Sequence, residues 1–232
     1  MMPSNRYSLQ LKTAPVNLPL TLGEVKASLQ VPDSDDTQDA NLMGTLRACV
    51  LACERYTRRS FITTTWTMFM DRFPGKPLPW WDGVREMADT QLTDLTESII
   101  VPRPPLLSVV SVKAHKQDDT TTTVTATDYI VDTASEPGRI ALKITKSWPT
   151  DALRAINGVE VEFTAGYGPT GSDVEAPIRE AILLCVGEVH SNREGAPARF
   201  EKVGESSISR FSPEDIPLPA QNLLGSYKLW KL

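Results

Sequence analysis

The sequence is poor in the residues that most often carry chemistry. It has only two histidines and three cysteines in 232 residues. An odd thiol count excludes a framework in which every cysteine pairs within the chain. Cys49 and Cys53 lie four apart on one predicted helix, Cys185 lies on another, and no CxxC pair is present. We read all three as small apolar residues on buried helical faces rather than as zinc ligands with His190. Neither His115 nor His190 sits in a nucleophile motif, and GxSxG and HExxH are both missing. The stretch GYGPTGS (166–172) imitates part of a phosphate loop. It lacks the lysine that would precede Ser172, and Pro169 interrupts it, so it reads as a turn with Ser172 or Asp173 as a helix cap. The sequence thus points away from catalysis, metal and cofactor.

Long apolar runs are also missing. No stretch reaches membrane-spanning length, and MMPSNRYSLQLK lacks the apolar segment of a signal peptide, so a soluble protein made in a cytoplasm is expected. Nor is there an excess of basic charge. Twenty-four Lys and Arg stand against 29 Asp and Glu, a net charge of −5. Affinity for nucleic acid through a basic face is therefore not expected, although DNA would pass such a surface without adhering.

What is present falls into helical and strand-rich stretches. PLTLGEVKASLQV opens a helix with capping-box spacing at Thr21 and Glu24, a Leu20–Val25 staple, and Pro32 as its stop. The acidic loop that follows starts like a calcium loop at Asp33 and Asp35. Gln38 and Gly44 stand where the glycine and the bidentate glutamate belong, so Asp33, Asp35, Asp36 and Asp39 read as capping or surface charges. The next helix, to about Arg59, carries an apolar stripe of Leu42, Leu46, Cys49 or Val50, Cys53 and Tyr56. Arg47, Arg55, Arg58 and Arg59 fall largely outside that stripe, as a solvated face or a contact surface for DNA or a partner.

From Phe61 the texture becomes β-branched and aromatic. Pro102, Pro104 and Pro105 give a stiff extended approach to a strand starting near Leu106. Glu136-Pro137-Gly138 makes a turn between strands, and VEVEFTAGYG alternates Val159, Val161 and Phe163 against Glu160 and Glu162. A helix with Pro177 in its first turn and a stripe of Ile178, Ile182, Val186 and Val189 follows. The chain closes on a short amphipathic helix in PLPAQNLLGSYKLWKL. This assigns residues 1–60 to N-terminal helices of a helical body and 61–167 to an inserted β-rich module with a long loop at 74–98. Residues 172–195 form the third body helix, and 196–232 form a flexible segment ending in the closing helix.

Seven segments in this order resemble the head–tail connector (adaptor, head-completion) proteins of long-tailed phages, prophages and gene transfer agents. They are PLTLGEVKASLQV, CERYTRRSFITTTWTMFMDRFPG, VPRPPLLSVVSV, DYIVDTASEPGRIAL, VEVEFTAGYG, APIREAILLCVGEVHSNRE and LPAQNLLGSYKLW. The loop Lys76–Ser98 is longer than in the shortest relatives. The resemblance implies an α+β fold: a small antiparallel helical bundle with an inserted antiparallel β-module and a C-terminal helix. It implies a virion structural protein in the neck, usually as twelve copies in a ring beneath the portal protein. The ring would extend the DNA channel without sequence-specific DNA binding and meet the next neck, stopper or tail protein, with no membrane partner.

Within that reading, Leu223, Leu224, Tyr227 and Trp230 are candidates for docking to the portal, against the alternative that they fold back on their own subunit. Under the docking reading, truncation after Pro217 leaves a folded protein. Trp80 and Trp81, with Arg85, are candidates for a subunit or tail-side contact, or a lid on their own sheet. Two other classes stand beside this one: a carbohydrate- or peptide-binding β-module using Trp80 and Trp81, and a hydrolase using Asp82, Asp118 or Asp119.

Overall fold

The computed structural model describes residues 7–74, 98–194, 200–203, 206–209 and 216–229. Their architecture is mixed α+β, with four helices and antiparallel sheets among the described residues. The chain divides into two compact units. Of the described residues, 7–14 and 63–166 belong to one, and 15–62 and 167–229 to the other.

The first unit is built on strands. A five-stranded sheet has the order β1-β2-β8-β4-β5, with β1 Tyr7–Thr13, β2 Thr64–Met70, β4 Leu106–His115, β5 Thr121–Val124 and β8 Val159–Ala165. A three-stranded sheet has the order β3-β7-β6, with β3 Ile99–Val101, β6 Tyr129–Asp132 and β7 Gly138–Leu142. The alternation in β8 works as the pleat demands. Val159, Val161, Phe163 and Ala165 point into the core and meet Met68 and Met70 of β2 and Val112 and Ala114 of β4. Ile99, Val101, Tyr129 and Ile140 of the smaller sheet complete the same core, and Phe73 stacks on Trp148 with ring centroids 4.7 Å apart. Gly138 is required by packing, since a Cβ there would stand 2.5 Å from Leu106 Cδ2. The proline-led strand begins at Leu106, as its sequence predicts. Its register slips between Leu106 and Ser108 and between Val109 and Ser111, leaving Leu107 and Val110 as exposed bulge residues.

Two assignments change in the structure. Tyr7–Thr13, grouped by sequence with the helical body, is strand β1, paired antiparallel with β2. Its apolar residues Tyr7, Leu9 and Leu11 alternate with Ser8, Gln10 and Lys12, a two-residue period that suits a strand. The segment read as flexible holds a hairpin in which β9 Phe200–Val203 pairs with β10 Ser206–Ser209.

The second unit holds the helices: α1 Leu22–Ser28, α2 Asp39–Thr57, α3 Ala176–Glu194 and α4 Leu218–Leu224, with a 3-10 turn over Gly225–Tyr227 after α4. Thr21 caps α1 through the reciprocal box with Glu24. The hydrogen bond from the Thr21 backbone, with help from Arg179, holds the Glu24 carboxyl below its ordinary range. Leu46, Cys49, Val50 and Cys53 of α2 face Ile178, Ala181, Ile182 and Cys185 of α3 in one apolar core, to which Val25, Phe61, Ile216, Ala220 and Leu224 also belong. The chain leaves this unit at Ile62 and re-enters at Tyr167. These two points are side by side: the Tyr167 N–H donates to Phe61 O at 3.0 Å, and Ile62 bridges Gly168.

Candidate functional site

His115 makes the one constellation with a catalytic look among the described residues. Its Nδ1 lies 3.0 Å from Thr121 Oγ1, and its Nε2 lies 2.9 Å from Glu160 Oε2. Lys113 Nζ meets the other oxygen of Glu160 at 2.9 Å. The register explains the grouping, because His115 pairs with Thr121 and Lys113 with Glu160 across neighbouring strands. Burial works against the Glu160 charge, but the hydrogen bonds from Lys113 and His115 prevail and lower its pKa. The cluster is a cross-strand polar ladder. Asp118 lies in the β4–β5 turn, accepting from the Thr120 hydroxyl at 2.6 Å, and Asp119 carries that turn's positive φ of 63°. They cap a turn and converge on no common point. Among the described residues no group of three His, Cys, Asp or Glu is placed to hold a metal ion.

The acidic loop before α2 closes on a cation of its own chain. Lys26, only 4% exposed, sends its Nζ to Asp35 O at 2.9 Å, Asp33 O at 3.4 Å and Asp39 Oδ1 at 2.6 Å. Asp39 meets the ammonium with its carboxylate, whereas Asp33 and Asp35 offer it backbone carbonyls, so the loop closes on the Lys26 charge. The capping expectation is corrected in detail. The α2 N-cap is Gln38, which makes no side-chain cap. Asp35 instead accepts from the Thr37 hydroxyl and N–H at 2.6 and 3.1 Å, which lowers its pKa.

The cysteines lie in the helical core, with Cys53 Sγ 3.8 Å from Cys185 Sγ. Burial pushes the Cys49 thiol up to about 12. Its contact with Cys185, and then burial, push Cys53 well above the ordinary thiol range.

The C-terminal candidates fall on both sides of the alternative drawn for them. Leu224 is fully buried in its own subunit's core, so its assignment to a docking surface is corrected. Leu223 and Tyr227 are half-buried against that core, and the Tyr227 hydroxyl donates to Glu175, which raises its pKa. Trp230 lies outside the described residues, as do Trp80, Trp81, Asp82 and Arg85. The side of α4 left in solvent carries Leu218, 68% exposed, and Asn222, with Lys228 beyond.

Sequence reasoning missed Arg59, which it left among solvated arginines. Arg58 takes a left-handed conformation, φ 60°, at the end of α2 and turns the chain, so Arg59 is 6% exposed. Its Nε donates to Tyr227 O at 2.7 Å and Nη1 to the Tyr167 hydroxyl at 3.4 Å. Leu229 N–H donates to Thr57 O at 3.2 Å, and Lys228 Nζ lies 4.3 Å from the Tyr56 ring centroid. Arg59 thus anchors the segment after α4 to the end of α2.

These features define an α+β protein whose helical unit is interrupted in sequence by a sheet unit. No protein-family model matches the chain, and no curated relative does. Solved structures show the same fold over nearly the full length. A chain from the neck of an empty gene transfer agent (GTA) particle, computed with C6 symmetry, has a TM-score of 0.67 at 17% identity, covering 97% of this chain and 97% of that one. A chain from the virion of a native GTA particle gives 0.65 at 17% identity, covering 97% and 96%. One from the neck of a native GTA particle, computed with C12 symmetry, gives 0.58 at 18% identity, covering 97% of each.

Proposed function

We propose that this protein is a structural component of the neck of a tailed-phage-like or GTA-like particle, acting as the adaptor between capsid and tail. The observation that carries the reading is a fold shared over 97% of both chains with chains of GTA necks. In this reading about twelve copies form a ring beneath the portal protein, extend the DNA channel and receive the next neck or tail protein. The helical unit is a small antiparallel bundle that carries the sheet unit as an insert. A net charge of −5 suits a lumen through which DNA slides, since a cationic wall would hold phosphates. No catalysis, cofactor or metal is part of the function.

Docking to the portal falls to the exposed side of the C-terminal segment, Leu218, Asn222 and Lys228, together with the outward parts of Leu223 and Tyr227 and with Trp230. Trp80, Trp81 and Arg85 serve a contact between subunits or with the tail side.

The test is to add purified protein to portal-bearing capsids and image them by electron microscopy. A ring of density directly beneath the portal is expected. Density elsewhere on the particle, or none at saturating protein, overturns the reading.

A further inference from the structure

The outward faces of α2 and α3 carry complementary patterns at the same spacing. On α2, Arg47, Leu51 and Arg55 are all exposed and follow each other at i, i+4 and i+8. On α3, Glu180 and Leu184 are exposed and Glu188 is half-buried, again at i, i+4 and i+8. Each stripe runs about 12 Å along its helix and covers about 80° of its circumference. Leu51 is 46% exposed and Leu184 36%, so an apolar side chain lies uncovered between two charges on both helices. Among the described residues no ion pair engages Arg47, Arg55 or Glu180. The two stripes do not satisfy each other within one subunit. The buried faces of α2 and α3 meet in the core at Cys53 and Cys185, and Arg47, Leu51, Arg55, Glu180 and Leu184 stay in solvent, with Glu188 at the half-buried end of its stripe.

We infer that the Arg47–Leu51–Arg55 stripe of one copy docks on the Glu180–Leu184–Glu188 stripe of a second copy of this chain. Basic–leucine–basic against acidic–leucine–acidic pairs both charges around one apolar contact, with the surrounding charges setting register and orientation. The two surfaces differ, so the contact is heterologous: each copy offers one face forward and another backward, and repetition closes a ring or runs on as a filament. This deepens the ring reading above and rests on it only for closure into a ring. A DNA duplex is the other occupant an arginine stripe suggests, but phosphates give no reason for Leu51 or for the matching acidic stripe.

The experiment uses charge reversal in the full-length protein. Self-association is read by sedimentation and native mass, in solution and on portal-bearing capsids. Arg47→Glu with Arg55→Glu is one variant and Glu180→Arg the other; circular dichroism and melting checks that each folds. Each variant alone is expected to associate at least tenfold more weakly than the parent. Mixing the two restores association, because one variant's reversed face meets the other's reversed face at alternate contacts. Raising NaCl from about 50 to about 500 mM weakens the parent and the restored mixture alike. The inference is overturned if the parent associates nowhere, if both variants associate as the parent does, or if the mixture gains nothing. It is equally overturned if the arginine variant loses only affinity for a duplex oligonucleotide. A parent that assembles through these faces yet never joins portal-bearing capsids sinks the neck reading and leaves this contact standing. Normal rings from both variants beneath the portal do the reverse.

Discussion

Arg59 Nε donates to the backbone oxygen of Tyr227 at 2.7 Å, joining residues 168 positions apart in sequence. This bond fixes the end of α2 to the segment after α4, and one buried guanidinium serves both. Replacing Arg59 with alanine removes charged hydrogen bonds and leaves the Tyr227 carbonyl without its donor. A loss of about 2–3 kcal/mol in denaturant unfolding is expected. Hydrogen exchange should rise first over residues 216–229. Unchanged exchange there would show that the core contacts of Leu224 hold the segment unaided.

Packing and docking in the C-terminal segment are separable by residue. Leu224→Ala opens a cavity in the helical core and should cost about 2–5 kcal/mol. Leu218→Asp, at a side chain in solvent, should change stability by less than about 0.5 kcal/mol yet weaken attachment to portal-bearing capsids. Truncation after Pro217 does not isolate docking, because it removes Ala220 and Leu224 from the core. Capsid pull-down of the stable Leu218 variant is the measurement, and full retention would move docking elsewhere.

Lys26 should be needed where calcium is not. Lys26→Met leaves Asp39 and the carbonyls of Asp33 and Asp35 around an apolar chain, with an expected loss of about 3 kcal/mol. Millimolar calcium should leave the melting temperature of the parent protein unchanged. A rise of several degrees would mean that the loop takes a metal after all.

Glu160 gives the sheet unit an acid-sensitive contact. Its folded pKa is depressed below the ordinary 4.5, so its contribution is complete above that value and fades as pH falls through the lower folded value. Glu160→Gln should therefore be less stable than the parent at pH 6, with the gap closing as acid titration proceeds. A gap constant from pH 6 to pH 3 would remove Lys113 and His115 as its cause.

The thiols should be silent until the protein unfolds. With Cys49 pushed up to about 12 and all three cysteines buried, Ellman's reagent at pH 8 should find no reactive thiol in the native protein and three in denaturant. Rapid native labelling of Cys53 or Cys185 would show that α2 and α3 separate readily.

Where physics is local, the sequence is informative. The Thr21–Glu24 box, Pro177 in the first turn of α3 and the alternation of β8 each need only neighbours in the chain, and each stands in the structure as read. Strand β1 had an equally local signal in Tyr7, Leu9 and Leu11, but its partner β2 begins 51 positions after β1 ends, and short alternation is weighed poorly without a partner. Arg59 was illegible for another reason: the left-handed Arg58 changes the chain's direction, and helical periodicity no longer says which way the next side chain points. Leu224 lay between two readings because an amphipathic helix is the same object whether its apolar face meets its own subunit or another. Only the core of the folded chain decides that.

The side-by-side exit and re-entry at Ile62 and Tyr167 bear on the order of events at the ribosome. Every described strand of the sheet unit has been translated by Ala165, whereas the helical core still lacks α3 and α4. A nascent chain long enough to expose Ala165 outside the ribosome, with α3 still inside it, should thus carry a protease-resistant sheet unit while its helical unit is unfinished. The helices needed to complete that unit emerge last.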